Sequence, residues 1–184
     1  MIAATDTGDV RMRVSKAVAL APPAREARPG EFVILDELDQ FVVLDERDGG
    51  RHLVISVGHA GAFGLAASLQ GLRWARPMTC QVTAALVRSL GGQVREVRVD
   101  RIIGGAYAAT VEVEGPRGTG LADARSSDAL NLADLAGAPT LVAPEVLEDC
   151  AGRQDGDSAE AVLLRRALAA GPMAIGTGPD RGPR

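Results

Sequence analysis

The stretch TCQVTAALVRSL-GG-QVREVRVDRIIGGAYAATVEVE, residues 79–114, changes period in its middle, and that change decides the fold. Val82, Leu86 and Leu90 recur every four residues, the spacing of one helix face; Pro77 and Thr79 mark its start, with Thr79 as N-cap, and Gly91-Gly92 its end. Val94 to Ile102 then reads as a strand and Gly104-Gly105 as a tight turn. Beyond it Tyr107, Ala109, Val111 and Val113 alternate with Thr110, Glu112 and Glu114, the period of a half-buried strand, so this part of the chain is a helix followed by a β-hairpin.

Working upstream, Leu65, Leu69 and Leu72 predict a helix made thin by Gly61, Ala62, Gly64, Ala66 and Ala67, narrow enough to pack closely on a sheet. His52 to Val57 reads as a strand after Asp48-Gly49-Gly50, Phe32 to Leu35 and Phe41 to Leu44 as a hairpin-like pair, Pro22 to Gly30 as a loop, and Val10 to Leu20 as a first strand. Working downstream, a turn at Gly115 to Gly118 leads to a short strand through Leu121 to Arg125, a helix from Ser126 to Ala136, a short buried strand Thr140 to Val142, and a turn or helix from Pro144 to Cys150. The expected architecture is α+β, a mixed and mostly antiparallel sheet packed with about three helices over residues 9–150. Residues 151–184 read as a tail with a helix over 158–170 and disorder from Gly171.

With 46% hydrophobic but 3% aromatic residues, the core must be built from Val, Leu, Ala and Ile. A net charge of −4 argues against a generally basic surface, so nucleic-acid binding would need a local patch. Lys16 is the single lysine, and the remaining positive charge is arginine. No apolar run approaches a membrane span and no basic leader precedes one, so the expected location is the cytoplasm. Cys80 and Cys150 are too few and too far apart for a disulfide framework or a zinc site and read as free thiols.

Chemistry concentrates in Ala122-Asp123-Ala124-Arg125-Ser126-Ser127-Asp128-Ala129, where alternation puts Asp123 and Arg125 on one face as the chain enters a helix. The helix N-terminus with Arg125 and Ser127 suits a phosphate, and Asp123 and Asp128 suit a divalent metal, the components of phosphodiester hydrolysis. The same residues also suit a structural role, with Ser126 or Ser127 as cap, Asp128 facing the helix dipole, and Arg125 paired with Asp123.

These residues also carry a resemblance. Gly58 to Gly71, Arg76-Pro77-x-Thr79, Leu90-Gly91, Ala106-Tyr107-Ala108, the Asp123 to Ala129 run, and Ala138-Pro139 to Leu147 are similar, in order and spacing, to the bifunctional nuclease domain family. The resemblance implies a nuclease acting on DNA or RNA, with Asp123, Arg125 and Asp128 catalytic, Arg76, Thr79 and Ser127 binding substrate, Mg²⁺ or Mn²⁺ on Asp123 and Asp128, and self-association. This chain departs from the pattern where Gly61 replaces a Glu, Cys80-Gln81 replaces His-Asp after Thr79, and Ser126 replaces a Pro. Those losses remove an acid or base and metal ligands, so the alternative is a non-catalytic protein that binds nucleic acid or another anion. Cys80 stands in the position of the His, and a thiol near a helix N-terminus is expected to be acidic. His52 and His59 read as strand and helix-start residues, and Trp74 as a loop anchor that also has the chemistry to stack on a base.

Overall fold

In the computed structural model, which describes residues 8–20, 39–47, 49–72, 74–154 and 156–173, Val10–Leu20 (β1), Asp39–Glu46 (β2) and His52–Ser56 (β3) pair in antiparallel succession. His59–Leu69 (α1) and Thr79–Ser89 (α2) follow, then a second antiparallel set, Gln93–Ile103 (β4), Ala106–Gly115 (β5) and Gly118–Arg125 (β6). Ser126–Ala136 (α3), Thr140–Val142 (β7), Pro144–Gln154 (α4) and Ala159–Ala169 (α5) complete the described chain. The three-residue β7 joins the two sets, antiparallel to β1 and parallel to β4, in the order β3-β2-β1-β7-β4-β5-β6. The architecture is therefore α+β with a mostly antiparallel mixed sheet, and among the described residues it carries α1 to α3 as the expected helices, α4 where a turn or helix was expected, and α5 in the tail.

The hairpin read from sequence turns at Gly104 and Gly105, whose φ angles of 57° and 84° lie in the left-handed region that glycine enters without strain. Val97 and Val99 of β4 and Ala109 and Val111 of β5 face inward and meet Ala129, Leu130 and Ala133 of α3, all essentially buried. Small and branched aliphatic residues do the filling, as the scarcity of aromatics required. Full burial of Leu130 contributes about 2 kcal/mol to holding α3 on the sheet.

The stripe on α2 is a different matter. Val82, Leu86 and Leu90 are 41%, 57% and 77% exposed, and Ala84 is the buried residue of that helix. Periodicity located the helix and its face, but the face points to solvent. Thr79 is also not the cap: it is the first helical residue after Met78, whose backbone N–H donates to Gln81 Oε1 at 2.8 Å.

Phe32 to Leu35 and the loop Pro22 to Gly30 lie outside the described residues; Phe41 to Leu44 sit in β2, between β1 and β3. Past Cys150 the chain continues α4 to Gln154, and α5 lays Leu164 and Ala167 on Val18, Phe41, Val43 and Val54 of the sheet. Lys16 Nζ donates to the carbonyls of Leu168 and Ala170, both at 2.6 Å, satisfying groups a helix C-terminus leaves open. The described chain ends at Met173, whose N–H donates to Ala17 O at 2.7 Å; residues 174–184, most of the segment expected to be disordered, lie outside the description. No described helix is long and apolar enough to cross a membrane.

Candidate functional site

Helices α1 and α3 cross at glycine. A Cβ placed on Gly61 would stand 2.6 Å from Ser127 Cβ, and one on Gly64 would stand 2.5 Å from Asn131 Oδ1. The small residues of α1 therefore serve two contacts: Gly61 and Gly64 fit α3, and Ala62 and Ala66 pack on Ala17 of β1 in the sheet. Asn131 fastens the crossing, its Nδ2 donating to Gly61 O at 3.1 Å and to Ser127 O at 2.8 Å.

Where α2 packs on the other side of this pair, a cavity of about 310 Å³ opens. Gly61 and Ser68 of α1, Thr79, Cys80 and Gln81 of α2, Asp128 and Asn131 of α3, and Trp74 from the connection are on its wall. Trp74 stacks on Phe63 with ring centroids 5.1 Å apart, so its loop-anchor reading holds and one edge of the indole still borders the cavity.

The six residues expected to form the site divide into two groups. Thr79 and Asp128 share the cavity, with Ser127 buried behind it against Gly61 and Arg125 bonded to Asp128. Arg125 is the N-cap position of α3 and its Nε donates to Asp128 Oδ2 at 2.7 Å; it pairs with Asp128 and not with Asp123. Ser126 and Ser127 are the first buried helical residues and neither caps the helix. Arg76 is exposed on the α1–α2 connection and does not border the cavity.

Asp123 belongs elsewhere. It lies opposite Thr110, and Thr110 sits between Ala109 and Val111, which point toward α3; alternation sends Thr110 and Asp123 to the opposite side of the sheet. There Thr110 Oγ1 donates to Asp100 and Arg101 Nη2 donates to Asp123 Oδ1 at 2.5 Å. Asp123 and Asp128, five residues apart in sequence, are thus directed to different sides of β6 and occupied by different arginines. The pair does not fit a shared divalent ion, and no cluster of three or more His, Cys, Asp or Glu suited to a metal occurs among the described residues.

Burial, and then the Asp128 carboxylate, push the Cys80 thiol above its ordinary value, with Arg125 opposing, so the acidic thiol expected at a helix N-terminus is not found. The hydrogen bond and charge of Asp128 raise Arg125 further, keeping it cationic. Both cysteines are free, Cys150 buried and Cys80 half-buried. His52 is an exposed strand residue on Asp45, and His59 opens α1 with its Nδ1 2.9 Å from Gln40 Nε2; neither borders the cavity.

A seven-stranded α+β domain with a helix-lined cavity beside a strand-to-helix junction is a class that sequence comparison resolves. A model of the bifunctional nuclease domain matches residues 42–154, more than half of the chain, and the chain belongs to that family. The match runs from β2 to the end of α4 and takes in every wall of the cavity. No curated protein matches the chain.

Proposed function

We propose that this chain is a nucleic-acid-binding member of the family that no longer hydrolyses phosphodiesters. One observation carries the reading. Gly61, Cys80 and Gln81, the positions where the family pattern has Glu, His and Asp, all border the cavity that Asp128 enters. The departures fall on one surface, where they remove a possible acid, base or ligand together. What replaces them is structural: Gly61 is the contact point of α1 on α3, and Gln81 spends its carbonyl oxygen on the α2 N-terminus. The protonated thiol of Cys80 and an Asp128 already bonded to Arg125 make a poor base between them. The hydrolytic alternative rests on Arg125, Ser127 and Asp128 around the first turn of α3.

Self-association, implied by the same resemblance, has its best contact in the exposed Val82, Leu86 and Leu90 stripe of α2. The test of the binding reading is fluorescence anisotropy of a labelled single-stranded oligonucleotide in EDTA and again with Mn²⁺. Binding that is unchanged by metal and by Asp128→Asn is expected; binding that requires metal and is lost in Asp128→Asn contradicts the reading.

A further inference from the structure

A second hollow adjoins the cavity between α2 and the end of α3. Trp74, Gln81 and Leu135 border both, and the second, an open groove of about 590 Å³, continues along α2 to Arg88. Gln81, Ala84, Ala85 and Arg88 recur at the spacing of one helix face, the face on which Ala84 is buried, so the Arg88 side chain leaves the helix on the groove side. Val82, Leu86 and Leu90 lie on a different side of α2, and none of them borders the groove.

The polar side-chain groups that this wall has to offer are donors. Gln81 commits its Oε1 to the Met78 N–H, which leaves its Nε2, and the Trp74 indole N–H and the Arg88 guanidinium can only donate. None of these three donor groups has an ion-pair or hydrogen-bond partner among the described residues. No acidic residue borders the groove, and the rest of its wall is Pro77, Ala84, Ala85 and Leu135. Arg88 also stands in the last turn of α2, where a cation complements the helix dipole, but that role uses its charge and leaves its N–H groups open.

We infer that this groove holds a nucleotide of a single-stranded nucleic acid, its base against Trp74 and its phosphate on Arg88. The inference rests on the nucleic-acid-binding reading above and adds where the strand lies; Asp128 is not on this wall. An indole already stacked on Phe63 is held in place, so a base that packs on it orders little that is not ordered before. A wall of donors suits the acceptor oxygens of a nucleotide, and a guanidinium suits a phosphate bidentately. Every nucleotide presents a π-face and a phosphate, so the groove takes a strand and leaves its sequence unread.

Trp74 is the chain's single tryptophan, so its fluorescence reports on this groove alone. The test titrates oligo-dT into the parent in EDTA with tryptophan fluorescence as one readout, and measures anisotropy of the labelled oligonucleotide over a salt series for the parent, R88Q, R88K, W74F and W74L. Circular dichroism establishes which variants are folded; should W74L fail to fold, quenching and R88Q decide. Saturable quenching in step with the anisotropy is expected, with a loss of about tenfold in W74L and most of the affinity kept in W74F. R88Q should bind several-fold more weakly with a salt slope shallower by about 0.7, and R88K should restore the slope. Anisotropy without quenching, together with full affinity in R88Q, overturns the groove and leaves the binding reading standing. A folded parent that binds no oligonucleotide at low salt overturns both. A heparin fragment of equal charge that quenches as deeply as the oligonucleotide overturns the placement of a base on Trp74.

Discussion

The two sides of α3 have been treated oppositely. On the side of Asp128 and Asn131 the polar groups are spent: one carboxylate is paired with Arg125, Gln81 caps a helix, and Gly61 packs on Ser127. On the side of Leu130 and Ala133 the helix lies buried against Val97, Val99, Ala109 and Val111 of the sheet. Hydrolysis needs groups poised against one another at close quarters, and their replacement lets two helices close up. Binding a polyanion needs only uncompensated cations, which cost little when solvated. On the proposed reading this family member keeps affinity and has lost turnover.

The comparison breaks most easily at the helix crossing. Gly61→Glu should destabilise the fold by about 3 kcal/mol in urea unfolding, because its Cβ must displace Ser127. Gly64→Ala should cost about 1–2 kcal/mol, since Asn131 is tied by two hydrogen bonds and cannot swing away; a neutral result would mean that α1 and α3 separate freely. A second contrast lies between neighbouring helices. Leu130→Ala on α3 should cost about 3 kcal/mol, whereas Leu86→Ala on α2, 57% exposed, should cost less than about 1 kcal/mol, by chemical denaturation of both. Equal costs would show that the α2 stripe is covered in solution.

Smaller effects sharpen the electrostatics. Alkylation of Cys80 by iodoacetamide near neutral pH should be slower than that of a free thiol, because burial favours the protonated form. Asp128→Asn removes a charge that raises the thiol and should shift the alkylation profile to lower pH, and Arg125→Ala should shift it to higher pH. Shifts of the opposite sign would place Cys80 outside this cavity. The ion pair itself is exposed on the arginine side, so Asp128→Asn should change stability by less than about 1 kcal/mol in the same unfolding experiment.

Much of this was legible in the sequence where local and tertiary demands agree. The Gly104-Gly105 hairpin and the helix from Ser126 to Ala136 follow from period and punctuation, and both occur with those boundaries. The α2 stripe shows the limit: period specifies a face, and what the face meets depends on neighbours that the sequence does not order in space. Asp123 and Asp128 show a second limit. Reading them as one site assumed that closeness in sequence survives a strand-to-helix junction, whereas strand pairing commits Asp123 to the side away from α3.

The central claim is loss of hydrolysis in a cavity whose replaced residues lie together, and cleavage of end-labelled single-stranded DNA and RNA tests it most directly. Purified parent and Asp128→Asn should be followed side by side over long incubation with Mg²⁺ and with Mn²⁺. The expected result is no product above the level common to both proteins. Product that accumulates with the parent and disappears in Asp128→Asn would contradict the account and return Arg125, Ser127 and Asp128 to a catalytic role.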